Sequence, residues 1–495
     1  MSAAGLIRGA GTAPCEPWPR YALSVEAWQT MAATPLPSLL GLWADPGHVY
    51  GLFQEDAAFL LASVPVIDGG YAALSPARPS AAWFERMIHD LWGHAAQGGT
   101  DGRPWLDHGR WGMTAPLSPH PGSVEDPPPP PEFLPVDAED YHQIAVGPVH
   151  AGIIEPGHFR FSAQGELLVR LEIRLGYLHK GTLGLMRGKS PRIAARFAAR
   201  LSGDSTVGHG IAFAHAAEAA SHTEAPPLAV ALRAVMAELE RIANHLGDCG
   251  ALANDAAFAV LPARFGWHRE AMLQAAAMAF GHRLMMDAVI PGGIAADIAP
   301  GGADGIVRAL AALEAELPAL LRVYEDYSSL VDRMVTTGIV APALAAQFAA
   351  GGYVGRASGR EFDTRKTPGY APYDTLDFSV PLLLAGDVDA RFRIRVAEIG
   401  ESTLILRTLL AALPGGPVSV TLPMTSGEGL GWAEGFRGDI WHWLRLDGGQ
   451  IAQVFMRDPS WLQWPLLESA VRGNIVADFP LCNKSFNCSY SGVDL

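Results

Sequence analysis

One short segment of the sequence concentrates side chains that can exchange protons. GPVHAGIIEPGHFRF (residues 147–161) contains His150, Glu155 and His158 together with three glycines and two prolines. Histidine titrates near neutral pH, and burial can bring a glutamate into the same range. Because glycine and proline fix an irregular backbone, the segment is typical of a loop that carries acid–base chemistry. The alternative is a tight turn with surface histidines.

The second chemical feature is a pair of cysteines. Cys482 and Cys488 are two of four cysteines in 495 residues and lie six positions apart. A zinc site would need His150 or His209 as a further ligand, and the usual short spacing between cysteines is absent. Four cysteines do not make a disulfide framework, which favours a reducing compartment. We interpret both as packing residues, since isolated cysteines behave as small hydrophobes.

A proline-rich stretch divides the elements that must position these groups. APLSPHPGSVEDPPPPPEFLP (residues 115–135) includes five consecutive prolines and can form neither a helix nor a central strand. It is typical of a semi-rigid spacer. We therefore predict a domain at residues 20–114, a linker at 115–140 and a larger domain at 141–495. A chain of this length also exceeds one ordinary hydrophobic core.

Strand patterns occur in both predicted domains. HVYGLF and AAFLLASVPV predict a strand pair and SAAWFERMIHDLWGH predicts a helix, so the small domain mixes both types. In the larger domain, Val169, Leu171 and Ile173 alternate with charged residues after a Gln164-Gly165 turn, which predicts a hairpin. DIWHWLRLDGGQIAQVFMRD predicts a second hairpin.

Helical patterns dominate the larger domain. PPLAVALRAVMAELERIANHLGDCG begins with prolines and carries an apolar stripe. The alanine-rich runs 267–290 and 303–335 are also predicted as helices, the latter interrupted at Pro318. The fold class is therefore α+β: a small mixed domain, then a helix-rich body with small antiparallel sheets.

Composition and motifs exclude several classes. The formal net charge is −15 and the pI about 5.5, with no basic block, so we expect no nucleic-acid partner. The N-terminus lacks the apolar run of a secretory signal, and charges break every long apolar stretch. Neither a phosphate-binding loop nor a strand-linked G-x-G-x-x-G is present, so we expect no direct NADH site.

Seven segments, in this order, resemble one family. They are GPVHAGIIEPGHFRF, RLGYLHKGTLGLM, RAVMAELERIANHLGDCG, IPGGIAADI, GRASGREFDTRKTPGYAPYDTLDFSVP, GDVDARFRIRVAEIGES and GFRGDI. Residues 141–495 resemble the 49-kDa subunit family of respiratory complex I and the large subunits of membrane-bound nickel–iron (NiFe) hydrogenases. AWFERMIHDLWGH resembles the 30-kDa subunit family of the same complex. The fusion is similar to the large subunits of formate hydrogenlyase and hydrogenase-4.

The resemblance implies partners and a cavity. The helical body would pack on a small Fe–S subunit of the complex I 20-kDa type, with antiporter-like membrane subunits as further partners. The cavity at the Fe–S interface holds a NiFe centre in hydrogenases and a quinone headgroup in complex I. We expect no cofactor bound tightly by this chain, and an Fe–S cluster in the partner. The expected location is cytoplasmic, peripheral on the inner face of the bacterial plasma membrane.

The cysteine pattern argues against the metal. A NiFe centre takes four thiolates from two C-x-x-C pairs, since soft sulfur ligands suit these metals. Aligned through His209, the first pair falls on Ser202 and Ser205, whose hydroxyls do not replace bridging thiolates. The second pair falls in DFPLCNKSFNC, where five residues separate Cys482 from Cys488. The sequence therefore predicts no NiFe centre and no other metal.

The resemblance also suggests residues for quinone chemistry. His150 and His158 match the two histidines of the complex I loop, with His158 in the position that donates a proton to the quinone. The tyrosine that accompanies this histidine would align near Gly203 and is absent here. Tyr177 and Asp204 are the candidate substitutes.

The resemblance also suggests roles for six further residues. Glu155 corresponds to a proton-relay glutamate of hydrogenases, or is a loop carboxylate that caps backbone amides. Arg437 in GFRGD matches a turn that borders the cavity, where it could steady an anion, pair with Asp204 or hold the turn. His209 is a further candidate cofactor-binding residue. An ionic cluster, either structural or part of a charged relay, matches Arg391, Arg395 and Glu398.

Three functions compete at this point. The first is an electron-transfer subunit that reduces quinone in a complex I-like or hydrogenase-4-like membrane complex. The second is a non-catalytic scaffold or coupling subunit of such a complex, and it ranks close to the first. An active NiFe hydrogenase ranks well behind both.

Overall fold

A computed structural model gives the fold of residues 2–124, 132–136, 140–150, 152 and 154–495. The five consecutive prolines lie outside these described residues, so the semi-rigid spacer stays a prediction.

The N-terminal unit is built around a mixed five-stranded sheet. Its elements are α1 (Ala3–Arg8), β1 (Gly11–Ala13), β2 (Arg20–Ala22), α2 (Val25–Ala32), β3 (Ser38–Ala44), β4 (His48–Glu55), β5 (Ala58–Pro65), β6 (Gly70–Ala72), α3 (Ala82–Trp92), β7 (Ala95–Gln97), β8 (Met113–Thr114) and β9 (Gly122–Ser123). The sheet order is β1-β2-β5-β4-β3, and only the β2–β5 pair is parallel within it. The predicted strand pair and helix are confirmed, and α1 and β1 add residues before position 20 to this unit.

The larger unit has a helical body with antiparallel sheets at its sides. Its elements are β10 (His142–Val146), β11 (His158–Gln164), β12 (Leu167–Arg174), α4 (Thr182–Met186), α5 (Pro191–Ala198), α6 (Thr206–Ala220), α7 (Pro227–Asp255), α8 (Val260–Phe280), β13 (Val289–Ile290), β14 (Gly293–Ile294), α9 (Gly302–Asp326), α10 (Ser328–Met334), α11 (Pro342–Gln347), α12 (Gly352–Ala357), α13 (Val388–Ala411), β15 (Gly427–Gly435), β16 (Gly438–Asp447), β17 (Gln450–Arg457), α14 (Ser460–Ala470), α15 (Phe479–Phe486) and α16 (Ser491–Asp494). Helix α7 packs against α8, α13 and α15, and the α+β class is confirmed.

Two helix predictions need correction. Helix α8 ends at Phe280, because Gly281 takes a left-handed conformation with φ of 79° and caps the helix. Helix α9 runs through Pro318 without a break and ends at Asp326. Pro318 lies on the exposed face, where water can bond the carbonyl group that its ring leaves unpaired.

The first predicted hairpin is confirmed with one irregularity. Strands β11 and β12 pair antiparallel, but the register shifts so that Ser162 faces Arg170 and Ala163 faces Leu168. Val169 is therefore the extra residue of a β-bulge. The bulge exchanges the faces of the strand, so Leu168 is buried and Val169 is exposed.

Glycines let β15 lie directly against α6, and this contact positions the site described below. A methyl group on Gly429 would lie 2.2 Å from the carbonyl oxygen of Ala216. One on Gly431 would lie 2.2 Å from the backbone nitrogen of Ala216. No larger residue fits at either position. Because residues 202–205 precede α6 and Arg437 follows β15, the close packing brings these two segments together.

One hydrophobic core joins the N-terminal unit to the β15–β17 sheet and its neighbours, and a second core fills the helical body around α7 and α8. Trp18 stacks on Trp432 with ring centroids 4.8 Å apart, and Trp43 stacks on Phe455 at 5.1 Å. Each pair joins the N-terminal unit to the β15–β17 sheet. Large stacked aromatic pairs of this kind bury extensive apolar area and resist separation.

This shared core predicts that the chain survives a cut between the units. A protease site placed within the five prolines, once cleaved, should leave both fragments in a single gel-filtration peak. The uncut protein with the same insertion is the control. Separate elution of a folded N-terminal fragment would contradict a continuous core.

Candidate functional site

A cleft of about 520 Å³ lies where several segments of the larger unit meet, and Arg269 on α8 and Lys484 on α15 also line it. Its walls come from the loop before β11, the turn before α6, helix α7, the β15–β16 turn and the stretch after α15. The lining residues that matter most are Glu155, Asp204, Asp248, Arg437, Cys488 and Tyr490. Three of the residues predicted from sequence, Glu155, Asp204 and Arg437, are therefore brought together.

Asp204 and Arg437 form a two-pronged ion pair in the cleft. Arg437 Nη1 and Nη2 donate to the two Asp204 carboxylate oxygens at 2.7 and 2.6 Å. The Arg437 side chain is 5% exposed and that of Asp204 is 41% exposed, so the carboxylate faces the open space. Burial alone would raise the pKa of Asp204, but the charge and hydrogen bonds of Arg437 and Ser202 outweigh it and lower the pKa.

Serine hydroxyls continue the polar floor beside this pair. Ser202 Oγ donates to Asp204 Oδ1 at 3.0 Å and lies 2.8 Å from Ser489 Oγ. Ser205 Oγ is buried and has no hydrogen-bond partner among the described residues. At the two positions aligned with the first thiolate pair, Ser202 is therefore hydrogen-bonded and Ser205 is buried without a partner among the described residues.

The two C-terminal cysteines lie in different surroundings. Cys488 lines the cleft, whereas Cys482 lies within α15 and contacts the backbone at Gly338. The helix ends between them, with Asn487 in a left-handed conformation. Burial raises the pKa of Cys482 to about 11 and raises that of Cys488 further. The prediction that both are packing residues fits Cys482, and Cys488 differs because it also faces the cleft.

Glu155 caps a backbone amide, and its predicted role as a proton-relay glutamate stays a prediction. Its Oε2 accepts a hydrogen bond from the backbone N–H of Ser491 at 3.0 Å, and the residue lines the cleft. It therefore caps an amide and remains beside the open space.

The predicted histidines of the first segment do not line the cleft. His158 begins β11 and stacks on Phe133 with ring centroids 4.5 Å apart. Its burial, and then the charges of Arg160 and Arg174, lower its pKa to about 4, so the ring is neutral at pH 7. His150 packs near Phe159, and burial lowers its pKa.

His209 and Tyr177 also lie outside the cleft lining. His209 is fully buried between His442 Nε2, at 3.0 Å, and Asp458 Oδ2, at 2.9 Å. Tyr177 packs edge-on against the His108 ring. The cleft lining includes neither residue, so the cofactor-binding role of His209 and the substitute role of Tyr177 stay predictions.

Tyr490 is a cleft residue that the sequence analysis missed. Its ring packs on Trp464 at 4.9 Å and so close to Gly157 that a methyl group there would lie 2.6 Å from the ring. Its hydroxyl is buried and interacts with the side chain of Asn483. The only signal in the sequence was a tyrosine two positions after Cys488, in a stretch analysed only for its cysteines.

The residues of the predicted ionic cluster, Arg391, Arg395 and Glu398, each have different partners. Glu398 accepts hydrogen bonds from His245 and Arg356, each at 2.8 Å. Arg395 lies 3.2 Å from Asp248, which lines the cleft, so Arg395 borders the cleft. Arg391 instead donates to Ser485 and to backbone carbonyl groups, which is a structural role.

The donor set of the cleft does not match a NiFe centre. Such a centre takes four thiolates. Among the described residues, Cys488 is the one thiol that lines the cleft, and an ion-paired carboxylate and serine hydroxyls surround it. The described residues also contain no cluster of three or more His, Cys, Asp or Glu side chains placed to hold a metal ion.

The helices differ from membrane-spanning ones. Within the described part of the chain, none of them combines the length and apolarity needed to cross a bilayer.

Comparison with known proteins places the chain. A model of the family described as "Respiratory-chain NADH dehydrogenase, 49 Kd subunit" matches residues 258–426. Formate hydrogenlyase subunit 5 of Escherichia coli is 28% identical over 86% of this chain and 77% of its own length. The D-type subunit of NADH-quinone oxidoreductase from Acidiphilium cryptum is 31% identical over 58% of this chain and 70% of its own length.

A solved structure shows the same fold. A chain of the membrane-bound sulfane sulfur reductase, an archaeal respiratory membrane complex, superposes with a TM-score of 0.68 at 23% identity. The match covers 73% of this chain and all of that chain. The two chains therefore share a fold.

The family follows from the sequence matches. The chain belongs to the family of the 49-kDa, or D-type, subunit of NADH-quinone oxidoreductase. The resemblance inferred from the ordered motifs is thereby confirmed.

Proposed function

We propose that this chain is an electron-transfer subunit of a membrane-associated, complex I-like oxidoreductase, and that its cleft binds a quinone-type acceptor without a NiFe centre. The observation that carries this proposal is the Asp204–Arg437 ion pair. Together with Ser202 it forms a charged, hydrogen-bonding floor in a cleft of about 520 Å³, whose described lining contains a single thiol. Such a floor suits the polar oxygens of a headgroup better than a metal held by soft ligands.

The ion pair gives the cleft its chemistry. A carbonyl oxygen that gains electrons also gains negative charge, and a preorganised guanidinium group stabilises that charge. Asp204 and the backbone carbonyl of Asn487 hold Arg437 in place. In this proposal the electrons come from an Fe–S cluster in a 20-kDa-type partner subunit. Antiporter-like membrane subunits attach the assembly to the inner face of the plasma membrane.

The hydrogen-bond donor to the acceptor is Tyr490 in this proposal rather than His158. The Tyr490 hydroxyl is buried and interacts with the side chain of Asn483, while the residue lines the cleft. Burial raises its pKa well above the usual value, so it stays protonated. His158 is neutral at pH 7 and packs under Phe133, which does not favour it as an acid.

The competing scaffold function has one observation in its favour. Asp204 and Arg437 neutralise each other, so the pair could hold the turn without a ligand. The purified complex distinguishes the functions. Oxidation of the prereduced complex by decylubiquinone, lost in Tyr490→Phe, supports the proposal. If substitutions in the cleft do not change the turnover of the complex, the chain is a scaffold. Stoichiometric nickel together with hydrogen evolution would indicate a hydrogenase.

Replacement of Cys488 by serine should leave quinone reduction within about twofold of the wild type. The reason is that its thiol is buried, protonated and without another sulfur ligand in the described lining of the cleft. Cys482→Ser is the matched control, since Cys482 is equally buried outside the cleft. Loss of activity in Cys488→Ser alone, at equal protein stability, would mean that the thiol holds a metal.

A further inference from the structure

Glu240 is a buried carboxylate without a cation partner. Glu240 is 7% exposed and forms no ion pair with any described residue. Oε2 accepts the backbone N–H of Val207 at 2.7 Å, and Oε1 accepts that of Gly208 at 3.0 Å. Nearby Glu238, in contrast, is paired with Arg241 and Arg365. Glu240 therefore lacks the charge neutralisation that keeps its neighbour ionised.

A water-sized cavity lies between Glu240 and the cleft. Its volume is about 10 Å³, close to the space that one water molecule requires. Glu240 lines it, and Asp204, Asn244 and Arg269 line both this cavity and the cleft. The same cavity reaches Arg283, whose side chain is 52% exposed. Most of its lining is apolar, and Glu240, Asp204 and Asn244 are the polar groups to which a single bridging water could bond.

The charged groups around Glu240 leave it able to hold a proton. Arg241 on the same helix pairs with Glu238 and Glu398 and donates to two backbone carbonyl groups, and its charge opposes the rise in the pKa of Glu240. Three charged residues from other elements line the same cavity as Glu240. They are Asp204 before α6, Arg269 on α8 and Arg283 after α8. Burial raises the pKa of Glu240 to about 8, against the opposing effect of the two backbone N–H donors. The carboxyl group is thus neutral at pH 7 and can release a proton in a useful range.

We propose that Glu240 supplies a proton to the ligand of the cleft through a single water molecule in this cavity, an inference that rests on the proposed function. As a quinone takes up two electrons from the Fe–S partner, two O–H bonds must form on it. The Glu240 O–H bond breaks, the water passes the proton on, and one quinone oxygen receives it. The second proton enters from solvent through the open cleft. Solvent at the Arg283 end then returns a proton to Glu240.

The test uses the intact complex, reduced in advance and freed of donor, with its oxidation by decylubiquinone followed by stopped flow. The wild-type rate should be constant below pH 8 and fall about tenfold per pH unit above it. Glu240→Gln should lower the rate at pH 7 about 100-fold, remove this pH dependence and lower the solvent isotope effect. Glu240→Asp should restore part of the rate and the titration.

Glu85→Gln is the matched control. Glu85 is also buried, accepts two backbone N–H groups and lacks a cation partner among the described residues, but it lies in the N-terminal unit. Its replacement should leave the rate and the pH profile unchanged.

The outcomes separate the two proposals. Suppose that the wild-type complex reacts and that Glu240→Gln, at equal thermal stability, reacts equally fast with the same pH profile. That result overturns the proton pathway alone. A wild-type complex that decylubiquinone does not oxidise overturns the proposed function and the pathway with it. A second stability readout guards against misfolding. Because the pKa of Glu240 is raised from 4.5 to about 8, wild type should lose stability relative to Glu240→Gln as pH rises through that range.

Discussion

Replacement of Arg356 by methionine should destabilise the protein by about 3–5 kcal/mol, the cost of leaving buried charges unpaired. Its guanidinium group is fully buried and lies 2.8 Å from Glu398, 2.9 Å from Glu434 and 3.4 Å from Asp363. Glu434 would then lose its only cation among the described residues, while Asp363 keeps Arg365 and Glu398 keeps Arg241 and His245. Methionine keeps the apolar volume of the arginine stem, so the loss reports the charge rather than a cavity.

The midpoint of urea unfolding and the thermal midpoint measure this effect. Arg407→Met is the matched control, because Arg407 pairs with Glu314 at the surface and is 38% exposed. An exposed pair contributes on the order of 0.5 kcal/mol or less. If both variants unfold at the same urea concentration, the buried cluster does not support the fold in the way that its geometry indicates.

The position of this cluster clarifies what the sequence could and could not provide. The motif around Arg391, Arg395 and Glu398 indicated a group of charges, but not their partners. Glu398 is bonded to His245 and Arg356, which lie on two other helices. A contact between distant helices depends on tertiary packing, which no local pattern in the sequence specifies.

Local patterns predicted the structure well wherever the local backbone was regular. The second hairpin and the long helix α7 followed directly from alternation, turn residues and an apolar stripe. The errors fell on single residues whose effect depends on surroundings. Pro318 was tolerated because it faces solvent, and Val169 became exposed because a bulge adds one residue to its strand.

The candidate site was predictable in part for the same reason. Ordered motifs located Glu155 and Arg437, and the alignment through His209 located Asp204. The fold gathers all three in one cleft. His158 was favoured by its place in a motif, yet a phenylalanine from the stretch before β10 covers it. Tyr490 carried no motif of its own, and only the three-dimensional arrangement reveals its buried hydroxyl beside the open space.

Replacement of Arg437 by methionine should lower the rate of quinone reduction about 100-fold, the loss typical of removing a preorganised donor at a reacting oxygen. Asp204→Asn should lower it about tenfold, because the neutral amide keeps the shape but no longer holds the guanidinium group by charge. The rates of both variants and of the double variant are measured by stopped flow with decylubiquinone. Arg407→Met again serves as the control for removal of one arginine.

The double variant carries the decisive information. If the ion pair acts as one unit, the double variant should be no slower than Arg437→Met alone, since Asp204 acts only by positioning Arg437. Multiplication of the two losses would mean that Asp204 contacts the acceptor independently. Unchanged rates in all three variants, with turnover of the complex intact, would assign the pair to the scaffold function. The rates of these variants thus distinguish a catalytic role of the ion pair from a purely structural one.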